Sequence, residues 1–228
     1  MTRETIERID SNINDLIADY YTTISGLFNE QKGGRIRGAK GRLVERLANS
    51  IVRLVWDDVL LQSHDRLQIN NEKEKIYVKA SDLFLQRQHL GDSARDRIIN
   101  HFDAVYYDFG TDVHVKVDGQ LAVAIECKAY TETAMLKRII FDSMLMDEAL
   151  PDATHCLFQL EAAFSDDQYN VLMSHHSHNI EVLTLLDGKR NSQKPIHKEY
   201  FFKELTKERL ITVIEYFEGV LSSFATEE

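Results

Sequence analysis

Ile6, Ile9, Ile13, Leu16, Ile17, Tyr20, Ile24, Leu27 and Phe28 recur every three or four positions. That spacing predicts an amphipathic helix over 4–30 with an apolar stripe about 120° wide, which has to dock on the chain's own core or on a symmetry mate. Leu43, Val44, Leu47, Ile51, Leu54 and Val55 define a second amphipathic helix, with Glu45 well off its stripe. Ser81-Asp82 can cap a short helix, and Gly91-Asp92-Ser93 can start another that runs to about Asn100. Strand patterns cover 104–109, 111–117 and 121–128, followed by a helix over 133–150 that Pro151 stops. A strand over 154–160, a helix over 166–176, a strand over 180–186 and a C-terminal helix marked by Leu210, Ile214, Phe217 and Leu221 complete the chain. The order predicts an α/β fold, a mixed sheet flanked by helices on both faces.

The hairpin in this series needs a closer reading. Asp118-Gly119 signals a tight turn, and the simplest form is a two-residue type I′ loop. That loop would put Val113, Val115 and Val117 on the same face as Ala122, Ala124 and Glu126. A three-residue loop or a G1 bulge at Gly119 shifts the register by one and repairs both faces. Val113, Val115, Val117, Leu121, Val123, Ile125 and Cys127 then share the core face. Asp112, His114, Lys116, Ala122, Ala124, Glu126 and Lys128 share the other. Patterning thus brings Asp112 and Glu126 together on neighbouring strands, with small Ala122 and Ala124 leaving room above the sheet.

Two neighbouring carboxylates repel, and a raised pKa or a divalent cation has to resolve this. Hard oxygen ligands suit Mg²⁺, which keeps several waters and completes its shell with substrate phosphate. Lys128 points to the same side as Glu126 and can reach a water or a phosphate oxygen. The alternative is a hairpin whose polar face simply meets water.

Composition refines this picture. The 228 residues, 43% of them apolar, suffice for one compact domain spanning 1–228. No apolar run is long enough to cross a membrane and the first residues do not read as a signal peptide, so a cytoplasmic protein is expected. Cys127 and Cys156 lie within apolar runs and read as reduced, packed thiols. A net charge of −10 argues at first against nucleic acid. Its distribution reverses that inference. Lys32, Arg35, Arg37, Lys40 and Arg42 fall in a glycine-rich stretch without acids, read here as a loop. Lys189, Arg190, Lys194 and Lys198 fall in a second acid-free stretch over 188–198. Each can be a solvated loop, but two such patches on an acidic chain with a carboxylate site favour a nucleic-acid partner.

Asp112, thirteen intervening residues and then Glu126-Cys127-Lys128 closely resemble the motif of the PD-(D/E)XK nuclease superfamily. Thr111 stands where that family often has proline, a position that is not a ligand. The resemblance implies an αβββαβ restriction-endonuclease-like core over 40–160, with a docking or dimerising N-terminal helix over 1–30 and a C-terminal extension over 161–228. It implies Mg²⁺ held by Asp112, Glu126 and the Cys127 carbonyl, with Lys128 positioning or deprotonating the attacking water and stabilising the developing charge. Glu45 is the candidate for the glutamate that many members supply from the preceding helix. A solvent-exposed Glu45 is the alternative.

Chain size, the long N-terminal helix and the basic stretches look most like a type II restriction endonuclease. Such a resemblance implies a homodimer that cuts double-stranded DNA at a specific, palindromic sequence and leaves 5′-phosphates. The stretches 32–42 and 188–198 would be arms around DNA. Arg35, Arg37, Arg190, Asn191 and Gln193 have side chains suited to base edges, while Lys40, Lys189 and Lys194 suit phosphates. A structure-specific repair or junction-resolving nuclease and a non-catalytic DNA-binding module remain as alternatives. Three histidines over 175–178 read as a solvated helix end, Asp108 as a second acid or a turn residue, and Trp56 as core.

Overall fold

The computed structural model describes residues 1–72, 74–77, 91–94, 96, 106–174 and 180–226. Helix α1 (Arg3–Ser25) begins at Thr2, whose hydroxyl accepts the Thr5 N–H, and buries Ile9, Ile13, Leu16, Tyr20 and Ile24. The predicted stripe therefore docks on the chain's own core. Helix α2 spans Gly33–Leu54. The glycine-rich basic stretch is thus the first half of a helix, which corrects the loop expected there. Ile36 and Lys40 continue the stripe of Val44, Leu47 and Ile51 at helical spacing, and burying Ile36 and the lysine stem outweighs the roughly 1 kcal/mol that each interior glycine costs a helix. A π-helical turn over Val55–Val59 follows, with Trp56 fully buried.

Strands β1 (Leu67–Asn70), β4 (Val113–Val117), β5 (Gln120–Thr131), β6 (Thr154–Ala162) and β7 (Glu181–Thr184) form one sheet in the order β1-β4-β5-β6-β7. The pairs β1/β4 and β4/β5 are antiparallel, while β5/β6 and β6/β7 are parallel. Strands β2 (Glu74–Tyr77) and β3 (Tyr106–Phe109) form a separate two-stranded sheet. The strand expected over 104–109 is therefore not the first strand of the core sheet. The short β1, which sequence patterning does not announce, holds that place.

Helices lie on both faces. Helices α1, α2 and α5 (Lys207–Leu221) share the larger core with Val113, Val115, Val123, Ile125, Cys127 and Phe158. On the opposite face, α3 (Thr133–Ala149) packs Leu136, Ile139 and Ile140 against Leu157, beside α4 (Asp166–Met173). With helices on both sides, every residue from Leu121 to Cys127 is buried, as in the middle of an α/β sheet rather than in a half-exposed hairpin. The histidines of 175–178 and the helix starting at 81 lie outside the described residues; of the helix expected from Gly91 to Asn100, residues 92–94 and 96 are helical.

The register of β4 and β5 combines two devices. Val117 pairs with Gln120 across Asp118-Gly119, whose φ values of 51° and 82° are those of a two-residue type I′ turn. The shift expected at Gly119 occurs further along, where Lys116 pairs with Leu121 but Val115 pairs with Val123. The extra residue is Ala122, a bulge inside β5. It turns Ala122 into the larger core and places Leu121 beside Ala124, Met146 and Ala153 under α3, reversing the faces expected for these two residues. The room expected above Ala124 is filled by the same contacts. Val113, Val115, Val117, Val123, Ile125 and Cys127 keep the expected core face.

Candidate active site

Asp112 sits one residue before β4. Its neighbour Thr111 is buried, donates its hydroxyl to the Val113 carbonyl (3.2 Å) and its backbone N–H to His114 Nε2 (3.3 Å). These bonds fix the backbone that presents Asp112. Glu126 and Lys128 stand two residues apart on β5 and project to one side. The Cys127 N–H donates to Asp112 Oδ2 at 2.8 Å, tying the aspartate to the middle of the motif.

Lys128 Nζ is the centre of the arrangement. It lies 2.7 Å from Asp112 Oδ2, 2.7 Å from Glu126 Oε1 and 3.2 Å from the Cys127 carbonyl oxygen. Arg138 reaches down from α3 to Glu126 Oε1 at 3.3 Å and approaches Asp142, four residues on, at 4.0 Å. Sequence reasoning missed Arg138. A basic residue in the second turn of the helix that immediately follows β5 is the signal that marks it.

Burial sets the electrostatics. Glu126 is only 8% exposed, and desolvation raises its pKa against the opposing pull of Lys128 and Arg138. Burial also works against the charge on Lys128, but Glu126 and Asp112 outweigh it and hold the ammonium pKa above the ordinary lysine value. The Cys127 thiol faces the larger core, and burial pushes its pKa well up, so the side chain is inert. Glu45 on α2 is partly buried; its pKa is raised by desolvation and then by Asp112, with Lys128 and Arg42 opposing. Its field therefore couples to the site.

The donor set fits a hard cation. Three oxygens, from Asp112, Glu126 and the Cys127 carbonyl, converge on a single positive centre, the Lys128 ammonium. Carboxylate and carbonyl oxygens are the ligands that Mg²⁺ takes. Glu45 does not close a larger cluster, since no group of three or more His, Cys, Asp or Glu side chains suited to a metal ion occurs among the described residues.

The expected DNA-contacting residues divide by location. Lys32 immediately precedes α2, and Arg35, Arg37, Lys40 and Arg42 ride on its first turns. Arg35 is exposed and 3.5 Å from Glu30, whereas Lys40 is 9% exposed. Lys189, Asn191, Gln193 and Lys194 are exposed on an irregular segment. Arg190 in that segment is not free to swing, because its guanidinium lies 3.6 Å over the Tyr130 ring and its N–H donates to the Ala162 carbonyl at 2.8 Å. The two basic stretches, far apart in sequence, meet across one cleft of 520 Å³ beyond the end of the motif. No helix among the described residues is long and apolar enough to cross a membrane.

No protein-family model matches the chain. The type II restriction enzyme DdeI of Desulfomicrobium norvegicum is 34% identical over 212 residues, covering 85% of each chain. A solved structure described as the native BbvCI A2B2 tetramer at low resolution covers 95% of this chain and 90% of its own, at 16% identity and a TM-score of 0.36, a likeness too loose to bear on the fold.

Proposed function

The chain belongs to the type II restriction enzymes, the family of its DdeI relative, and on that premise we propose that it is an Mg²⁺-dependent endonuclease that cuts both strands of duplex DNA at a specific, palindromic sequence and leaves 5′-phosphates. The observation that carries the site assignment is the convergence of Asp112, Glu126 and the Cys127 carbonyl on Lys128 Nζ. Asp112, Glu126 and the Cys127 carbonyl would hold Mg²⁺, with Glu45 adding negative field from α2, and the ion when bound supplies Lewis-acid stabilisation of the charge on the scissile phosphate.

The chain's own residues do the rest. Because neighbouring carboxylates keep Lys128 protonated, its ammonium acts first as a donor: it holds the attacking water and faces the negative charge that develops on the phosphate oxygens. A lysine acting as base requires those partners to have turned away from it. In-line attack by the water oxygen on phosphorus breaks the bond to the 3′ oxygen; the water gives up a proton to solvent and the departing 3′ oxygen takes one up, leaving as the hydroxyl. Arg138 holds Glu126 in place from α3. Cutting both strands of a palindrome calls for two such sites, hence a homodimer, each copy a single catalytic unit over 1–228. A cytoplasmic location, where DNA is accessible, accords with this reading.

The test is direct. Purified protein incubated with Mg²⁺ and a long duplex should yield discrete fragments carrying 5′-phosphates. A smear, cutting confined to branched DNA, or binding without cutting would contradict the proposal.

A further inference from the structure

The cleft beyond the motif is built as an anion site. Its floor starts at Ala129 and Tyr130, which directly follow Lys128 on β5, and its walls come from the first turns of α2 and the segment before a short 3-10 helix at Glu199–Phe201. Lys40 is buried in this wall at 9% exposure, and its sole polar partner among the described residues is His197 Nδ1, 3.5 Å away. No carboxylate pairs with it. Glu161 attracts its charge from beyond ion-pair distance without offsetting the cost of burial, and a buried ammonium held so weakly is costly unless something anionic arrives.

The charges around the cleft point the same way. Two acids line it, and each is neutralised from outside: Glu161 by Lys203 at 3.0 Å, and Glu30 by Arg35 at 3.5 Å. Glu30 also accepts the backbone N–H groups of Gln31 and Lys32 at 2.9 and 2.8 Å. Arg190 is partly engaged by Glu132 at 3.8 Å and lies flat on Tyr130, which fixes its guanidinium beside the cleft. Burial and the nearby lysines lower the pKa of His197, so it is neutral at pH 7 and accepts from Lys40. Arg37 and Lys198 stand on the rim without a carboxylate partner among the described residues. What is left over is positive, with one cation buried and one locked.

We infer that this cleft seats an internal phosphodiester of the cut DNA strand, with Lys40 and Arg190 as its binding residues. The inference rests on the endonuclease reading above and adds a named subsite to it. Position supports the assignment. Tyr130 is two strand residues from Lys128, about 7 Å along β5, and phosphates of one strand are spaced about 3.4 Å along the duplex axis. The seated phosphate lies within about two nucleotides of the scissile one.

Duplex binding in EDTA, followed as a function of salt, tests this without interference from cleavage. Removing one phosphate contact should reduce the slope of log affinity against log salt by about 0.9. Lys40→Met should do so and weaken binding roughly tenfold, as expected for a lost charge-assisted hydrogen bond. Arg37→Ala and Lys198→Ala, at exposed positions whose loss leaves the core intact, should lower the slope as well. Neutral methylphosphonates placed within two nucleotides of the mapped cut should weaken the wild type more than Lys40→Met, which keeps only the Arg190 contact. If Lys40→Met binds with the affinity and slope of a wild type that still cuts, the inference fails and the endonuclease reading stands. If the wild type neither binds nor cuts duplex DNA, both fail.

Discussion

Lys128 Nζ and Asp112 Oδ2 lie 2.7 Å apart, and the same nitrogen is 2.7 Å from Glu126 Oε1, so one ammonium separates two carboxylates that would otherwise face each other. The lysine therefore stabilises the site before any cation arrives. Lys128→Met leaves Glu126 buried beside Asp112 with only Arg138 for relief, and breaking such a partly buried pair costs about 2 kcal/mol. The variant should melt lower than wild type in EDTA and recover most of the difference in millimolar Mg²⁺, whereas Mg²⁺ should shift the wild type less. Equal melting temperatures in EDTA would mean that the lysine does not hold the carboxylates together.

Lys40 should show the opposite balance. Burial lowers its pKa from 10.5 to about 8, so the folded state holds that proton less tightly than the unfolded one. The resulting penalty is full below about pH 8 and fades as pH rises toward 10.5. Lys40→Met removes it, and urea unfolding at pH 7 should find the variant more stable by about 2 kcal/mol. The gap should narrow between pH 8 and pH 10.5. A variant less stable than wild type at pH 7 would show that the lysine is not strained.

Gly41 lies inside α2, and a Cβ there would meet nothing within 4 Å. Gly41→Ala should therefore stabilise the protein by about 0.5–1 kcal/mol, the gain expected for alanine over glycine in a helix interior. A neutral or destabilising result in urea unfolding would favour a loop over 32–42.

The turn that sets the hairpin register is sensitive at Gly119, where φ is 82°. An L side chain there is strained even in open space, and Gly119→Ala should cost about 1–2 kcal/mol. The loss should appear in urea unfolding, and a neutral substitution would argue against the type I′ turn.

The grouping of Asp112, Glu126 and Lys128 was readable in the sequence because period-two burial constrains it from both sides. Val113, Val115, Val123, Ile125 and Cys127 have to share one face, which obliges Asp112, Glu126 and Lys128 to share the other. The location of the extra residue was not readable. A longer loop at Gly119 and a bulge at Ala122 restore the same register beyond Val115, and small Ala122 tolerates either face. Glycines and a lysine interrupt the apolar stripe in the first half of α2, so patterning alone starts the helix late; yet Lys40, four residues from both Ile36 and Val44, has the spacing of a buried position. Strand β1 has only four residues and takes its place by pairing with β4, a long-range relation that local patterning does not carry. Arg138 carries only a weak signal, a basic residue in the second turn of the helix after β5, and its contact with Glu126 depends on how α3 lies over the sheet.

The most direct measurement compares wild type with Glu126→Ala on a long duplex in Mg²⁺, after matching circular dichroism spectra establish that both are folded. The account predicts discrete fragments from the wild type and a loss of at least about a hundredfold in rate for the variant, the scale set by removing a group that stabilises the transition state. A Glu126→Ala protein that cuts at the wild-type rate would contradict it.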